Sequence, residues 1–284
     1  RLYQLTGLQF LPFNTVFQLL AMRRADSPLL EVAETLLLMP DLFNWLLTGR
    51  RAVERTDAST TQMLDPRTRD WSDPICTGLD LPRAILPELI EPGTELGALA
   101  KSVADDLGIA PMPVLAIGGH DTASAVAAVP VTGASASSNP PDWCYLSSGT
   151  WSLMGAEVPG PVINDTTYKY NFTNEGGVGG TIRLLKKIMG LWLVQECRRT
   201  WARAGQDLSY DVLIPRAEAA KPFAALVDPD DPSFLAPGDM PARLAAYCQK
   251  TGQTLPGDEG GIIRCCLESL ALKYRWTVER LEQI

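Results

Sequence analysis

The stretch Val114-Leu115-Ala116-Ile117-Gly118-Gly119-His120-Asp121-Thr122, running on through the small residues Ala123 to Val129, decides how the chain is read. The apolar, partly β-branched start predicts a short buried strand, and the paired glycines end it abruptly. A helix is expected from Ala123 to Val129. Asp121 then stands at the carboxyl end of a strand, where open α/β sheets hold their ligands. Two glycines remove every Cβ from the bend, so that a ligand can approach the backbone. A carboxylate at such a point can accept a proton from an attacking hydroxyl. The plainer role is an N-cap of the helix starting at Thr122, since Asp is a favoured capping residue, and pattern alone favours that cap. His120 is the single histidine of the chain, so no pair of histidines can form a metal or catalytic site.

Downstream, Gly133 to Pro141 (GASASSNPP) has the composition of a linker, and the domain boundary is expected there, dividing residues 1–133 from 134–284. A strand is predicted over Trp143 to Leu146, then the turn Ser147-Ser148-Gly149-Thr150, then a second strand over Trp151 to Met154. Backbone N–H groups of such a turn, with the Thr150 hydroxyl, can hold an anion. No Lys follows Gly149, so this is not a P-loop, and a hairpin turn explains it equally well. Asn171 to Gly180 (NFTNEGGVGG) is expected as a polar loop. It leads into a long amphipathic helix from about Ile182 to Trp201, with Leu184, Ile188 and Gln195 on the inward stripe. A Gln on that stripe needs a partner, either a nucleotide or a nearby carbonyl. Two further helices are expected, Pro241 to Lys250 and Asp258 to the end. The last keeps apolar spacing through Ile263, Leu270 and Val278 to the final residues, which points to further chain beyond it. Their short connection is expected to bring Cys248 and Cys265 within disulfide reach, about 4.4–6.8 Å between Cα atoms.

Upstream, Asn14 or Thr15 can cap a helix to about Arg24, with Phe17, Leu20 and Ala21 on one face. The apolar run from Leu29 to Leu38 stops at Pro40, Asp41 is expected to cap Leu42 to Thr48, and Gly49 suits the C′ position. Thr56 to Gln62 (TDASTTQ) is expected to be a solvated turn.

With 25 Lys and Arg against 33 Asp and Glu, the net charge is −8, which lacks the basic footprint of a nucleic-acid binder. An anionic ligand would have to be held by local groups. No apolar run is long enough to span a bilayer. Six cysteines without a CxxC pair support neither a disulfide scaffold nor a zinc knuckle. These features predict a soluble, cytoplasmic protein; the opening at Arg1, not Met, points to chain before it as well.

The strings GGHDTASAVAAVP (Gly118 to Pro130), YLSSGTWSLMG (Tyr145 to Gly155), NFTNEGG (Asn171 to Gly177) and LKKIMGLWLVQE (Leu185 to Glu196) resemble the rhamnulokinase family. So do GLQFLPFNT (Gly7 to Thr15) and LLMPDLFNWLLTG (Leu37 to Gly49). That family is a branch of the FGGY carbohydrate kinases. The resemblance implies an α/β fold of two actin-like (ribonuclease-H-type) domains around a cleft, both incomplete here: the end of a sugar-binding domain in residues 1–133, and the start of a nucleotide-binding domain in 134–284. It implies ATP-dependent phosphorylation of L-rhamnulose at the 1-hydroxyl with Mg²⁺, in rhamnose breakdown, with the sugar and ATP as the partners. By match of motif Asp121 is the general base, His120 and Thr122 line the sugar site, Gly149 and Thr150 meet the ATP phosphates, and Gln195 binds nucleotide. A hinge near Gly133 would let the domains close.

Two departures stand against the family pattern. An early glycine-rich phosphate hairpin and a late glycine-rich adenosine segment are absent. Lys187 occupies the place where the family has a substrate-facing Asn, and so is the substrate-site candidate there. A kinase for another ketose such as L-fuculose, or a non-catalytic sugar- or nucleotide-binding protein of the same fold, are the alternatives.

Overall fold

A computed structural model of the chain describes residues 1–131 and 141–284. The expected boundary at 133/134, and all of the linker except Pro141, lie outside the described residues. Two compact units emerge: residues 1–145 and 155–185 with Ile284 form one, residues 146–154 and 186–283 the other. The first unit therefore recovers a segment from the second half of the sequence.

The first unit starts with helices α1 (Leu2–Thr6), α2 (Thr15–Arg24), α3 (Leu29–Val32) and α4 (Met39–Thr48). The expected α2 is present, but it buries Val16 and Leu19, while Ala21 faces solvent. Only four residues of the Leu29 run are helical. Helix α4 starts before Pro40, tolerated in the first turn because its missing N–H would have no helical partner there. Asp41 is therefore not the cap. It is buried in the first turn, and its Oδ1 accepts the backbone N–H of Glu54 at 3.0 Å. Gly49 closes α4 in the left-handed conformation (φ 80°), as expected.

Strand β1 (Ala52–Glu54) then runs into the short helix α5 (Arg55–Ala58) and a 3₁₀ turn, Ser59–Thr61. This is the segment expected to be a solvated turn, and it is instead largely buried. Its hydroxyls bond back to their own backbone: Ser59 to the Thr56 carbonyl, Thr60 to that of Asp57 and Thr61 to that of Ala58. A polar segment that satisfies itself in this way can enter a core at little cost. The remaining pieces are β2 (Leu64–Asp65), β3 (Asp70–Trp71), α6 (Asp73–Gly78), β4 (Glu88–Ile90), β5 (Glu95–Ala98), α7 (Lys101–Leu107), β6 (Pro113–Leu115) and α8 (Asp121–Ala127). Strand β1 pairs in parallel with β4, β2 antiparallel with β3, and β5 antiparallel with β6. The main core holds Val16, Leu19, Val53, Trp71 and Ile75. The expected strand before Gly118 is thus present as β6, but Leu115 and Ile117 are exposed and only Ala116 is fully buried.

A four-stranded sheet follows in the order β7 (Tyr145–Ser148), β8 (Ser152–Val158), β10 (Ile182–Ile188), β9 (Thr173–Gly176), with α9 (Asp165–Lys169) between β8 and β9. Two expectations are overturned here. The polar loop 171–180 contains strand β9, paired antiparallel to β10. Residues 182–188 are strand, not the start of a long helix. The helix α10 begins only at Trp192 (Trp192–Arg203), so Gln195 shares no helical stripe with Leu184 or Ile188.

The second unit continues through α11 (Tyr210–Ala219), α12 (Met240–Lys250) and α13 (Glu259–Leu281). Its core gathers Leu193, Cys197, Leu213, Phe234, Leu244, Cys248, Ile263, Cys265 and Cys266. The last two helices lie where expected, and Asp258 caps α13 by accepting the Gly261 N–H at 2.8 Å. All six cysteines are free thiols. In this core the contact with Cys197, together with burial, holds the Cys266 thiol well above the usual range, and burial, then Cys266 and Cys248, push Cys265 up to about 12. Helix α13 packs principally on α11 and α10.

Candidate active site

In the first unit, Gly118 to Asp121 form a bend between β6 and α8. The glycines are there for close packing inside the protein. A Cβ on Gly118 would lie 2.8 Å from the Ser124 hydroxyl, and one on Gly119 would lie 3.3 Å from Glu54 Oε2. The space that the sequence offered to a ligand is filled by Ser124 and Glu54 themselves. The Ser124 hydroxyl locks the bend by donating to the Gly118 carbonyl at 2.7 Å.

His120 is the N-cap residue of α8 and Asp121 its first residue, so Asp121 is not the N-cap. The Asp121 Oδ1 accepts the N–H of Thr122 at 2.5 Å and the Thr122 hydroxyl at 3.2 Å. Its side chain is 97% exposed while that of His120 is 16% exposed. With Oδ1 engaged, Oδ2 is the oxygen open to an incoming hydroxyl. The imidazole stands between two carboxylates, Nδ1 3.8 Å from Asp121 Oδ1 and Nε2 4.0 Å from Glu175 Oε2. Thr122 is buried beside them.

Beneath this loop lie groups that the sequence reading missed. Glu54, 1% exposed, accepts the Gly119 N–H at 2.7 Å, the Thr56 N–H at 2.8 Å and the Thr56 hydroxyl at 2.5 Å. The Thr56 hydroxyl in turn accepts the His120 N–H at 3.2 Å. Glu175 forms a fully buried pair with Arg183 at 3.3 Å, and Arg183 Nε also donates to the Gly176 carbonyl at 2.9 Å. Asp41 lies behind Glu54. Burial raises its carboxyl to about 7, Asp57 and Glu54 add to the rise, and hydrogen bonds from the Glu54 and Leu38 backbone oppose it. The signal for these residues was a Glu and a Thr two positions apart next to an apolar strand, which names no partner 65 positions away.

The nucleotide candidates come together in the second unit. The Thr150 hydroxyl donates to Gln195 Oε1 at 3.0 Å. The carbonyls of Gly149 and Thr150 accept the N–H groups of Leu191 and Trp192 at 2.9 and 3.1 Å, satisfying donors that the start of α10 would otherwise leave unpaired. Only a glycine fits at 190, since a Cβ there would come within 2.6 Å of the Gly149 carbonyl. Thr150 is exposed and Gln195 half-buried, so the pair can be reached from solvent. Lys187 lies half-buried on β10, not on a helix, whereas Lys186 is buried and faces Trp276 with its ammonium 5.9 Å from the ring centroid. Burial lowers the Lys186 ammonium, Asp230 and Asp228 oppose that shift, and Lys273 reinforces it.

Among the described residues, no group of three or more His, Cys, Asp or Glu converges as a metal cage. These described side chains do not fit a protein-held ion. No helix among them is long and apolar enough to cross a membrane.

Two family patterns match the chain: the N-terminal domain of the FGGY family of carbohydrate kinases over residues 1–128, and its C-terminal domain over residues 144–284. The chain belongs to the FGGY family of carbohydrate kinases. It is 43% identical over 282 residues to a rhamnulokinase of Bacteroides thetaiotaomicron, covering 99% of this chain and 56% of that protein. It is 40% identical over 284 residues to a rhamnulokinase of Enterococcus faecalis, covering 100% of this chain and 55% of that one. The chain thus spans about half the length of the curated relatives it matches. Among solved structures it is similar to the xylulose kinase of Rhodospirillum rubrum (TM-score 0.70, 19% identity, 100% of this chain and 55% of that one). It is likewise similar to the ligand-bound xylulose kinase of Lactobacillus acidophilus (TM-score 0.69, 16% identity, 99% and 55%). At these identities the structures establish the two-domain α/β kinase fold.

Proposed function

We propose that the whole protein carrying this chain phosphorylates L-rhamnulose at its 1-hydroxyl, using ATP accompanied by Mg²⁺. The observation that carries the reading is identity of about 40% to rhamnulokinases along essentially the entire chain. The 1-hydroxyl oxygen attacks the γ-phosphorus, a new O–P bond forms, and the bond to the β–γ bridging oxygen breaks, releasing ADP. Asp121 Oδ2 takes the hydroxyl proton. His120, Thr122 and Lys187 contact the sugar, and Gly149, Thr150 and Gln195 the nucleotide. Phosphoryl transfer depends mainly on positioning and on stabilising charge, with one carboxylate orienting the nucleophile. The fixed Oδ1 and open Oδ2 of Asp121 suit that task. We also propose that residues 1–133 and 134–284 are the parts of the sugar-binding and nucleotide-binding domains.

In the whole protein, Asp121→Asn should lower kcat by about 10²–10⁴-fold while ATP affinity stays within about threefold, as expected when a general base is lost. Activity within a few-fold of wild type would remove Asp121 from the reaction.

A further inference from the structure

We infer that Glu54, acting with Thr56, is a positioning residue that aims the Gly119-His120-Asp121 segment; this rests on the reading of Asp121 as the general base. A buried carboxylate whose purpose was only to cap α5 would be satisfied by the N–H groups of Thr56 and Asp57, at 2.8 and 3.4 Å. Glu54 does more. Its Oε2 also receives the Gly119 N–H at 2.7 Å, and the same oxygen receives the Thr56 hydroxyl, whose own oxygen accepts the His120 N–H at 3.2 Å. Two successive backbone donors immediately before Asp121 are thus fixed, one directly and one through Thr56. Charge-assisted bonds of this kind are shorter and stronger than neutral ones.

Gly119 lets this happen, because a Cβ there would press to 3.3 Å of Glu54 Oε2. The carboxylate is itself immobile: it is 1% exposed, and the Glu54 N–H is held by Asp41. Asp121 is different, since its side chain is almost wholly exposed and its Oδ1 is held by its chain neighbours, accepting from Thr122 with His120 Nδ1 3.8 Å away. Its direction is therefore set by the backbone that carries it. A displacement of about 1 Å at a reacting group can cost about 10²-fold in rate, so loosening this backbone should appear in kcat.

The test is a double-mutant cycle in the whole protein, with Glu54→Gln, Asp121→Asn and both together. The amide keeps the shape of Glu54 but turns one acceptor oxygen into a donor facing other donors. Glu54→Gln should lower kcat by about 10- to 100-fold with ATP affinity unchanged, and should add nothing once Asp121 is Asn. A purely structural cap would lose activity by the same factor in both backgrounds, and that additive result overturns the inference. If Glu54→Gln does not fold, Thr56→Val carries the test, since it leaves Glu54 in place and removes only the hydroxyl link to His120. The same non-additive loss is expected, and full activity or additivity in that variant refutes the proposal. If Asp121→Asn alone keeps full activity, the reading of the base fails first, and the cycle shows this separately.

Discussion

Replacing Asp41 by Asn removes a carboxyl that the fold keeps protonated well above the usual range. The native carboxyl is raised from 3.8 to about 7, chiefly by burial and then by the neighbouring charges of Asp57 and Glu54. In the unfolded chain the same group ionises near its ordinary value. Between these two values the native state binds the extra proton, so stability falls as pH rises and levels off once the native carboxyl has ionised. From pH 5 to the native value the difference is about two units, and at about 1.4 kcal/mol per unit the loss is about 3 kcal/mol. Asn cannot ionise and lacks this slope, whatever constant cost its amide brings. Urea denaturation of wild type and Asp41→Asn, followed from pH 5 to pH 8, should show the variant gaining about 3 kcal/mol on the wild type across that range. Parallel stability curves would instead mean that Asp41 is equally acidic in the folded and unfolded chains.

Thr150→Val removes the hydroxyl that donates to Gln195, and calorimetry should show ATP binding weakened by up to about tenfold, the worth of one hydrogen bond, with sugar binding unchanged. Lys186→Ala should lower the denaturation midpoint of the second unit, because its buried stem and its contact with Trp276 are lost. Lys187→Ala should instead leave the midpoint in place and change the KM for the sugar; a change in stability only would make Lys187 structural. Arg183→Met strands the buried carboxylate of Glu175 and should destabilise the first unit by about 3–5 kcal/mol. Adding Glu175→Gln should recover part of that loss, as read in urea titrations.

Helices with end signals were legible without any structure. Asp258 announced α13, Gly49 closed α4, and the Gly118-Gly119-His120-Asp121 bend lies between β6 and α8. Residues 182–188 misled because a strand buried along nearly its whole length loses the two-residue alternation. Its apolar positions 182, 184, 185 and 188 then match a helical period as well as any other. Arg183 and Lys186 look like the solvent face of that imaginary helix. They are buried because Glu175 pairs with the first, and because Trp276 faces the second, partners that no local window contains. The TDASTTQ segment was invisible for the same reason. Its hydroxyls are satisfied locally, but its burial depends on Asn14, whose amide donates to Gln62 at 2.9 Å, and on Glu54 reaching Gly119. Thr150 and Gln195 were each legible as polar oddities, while their contact required the true start of α10 at Trp192.

Phosphorylation of L-rhamnulose is tested most directly by incubating the whole protein with ATP, Mg²⁺ and each of a set of ketoses, and following the products by ³¹P NMR. L-rhamnulose should give a phosphomonoester at its 1-position together with stoichiometric ADP, with a higher kcat/KM than L-fuculose or xylulose. ATP consumption that is independent of sugar, or a clear preference for another ketose, would contradict it.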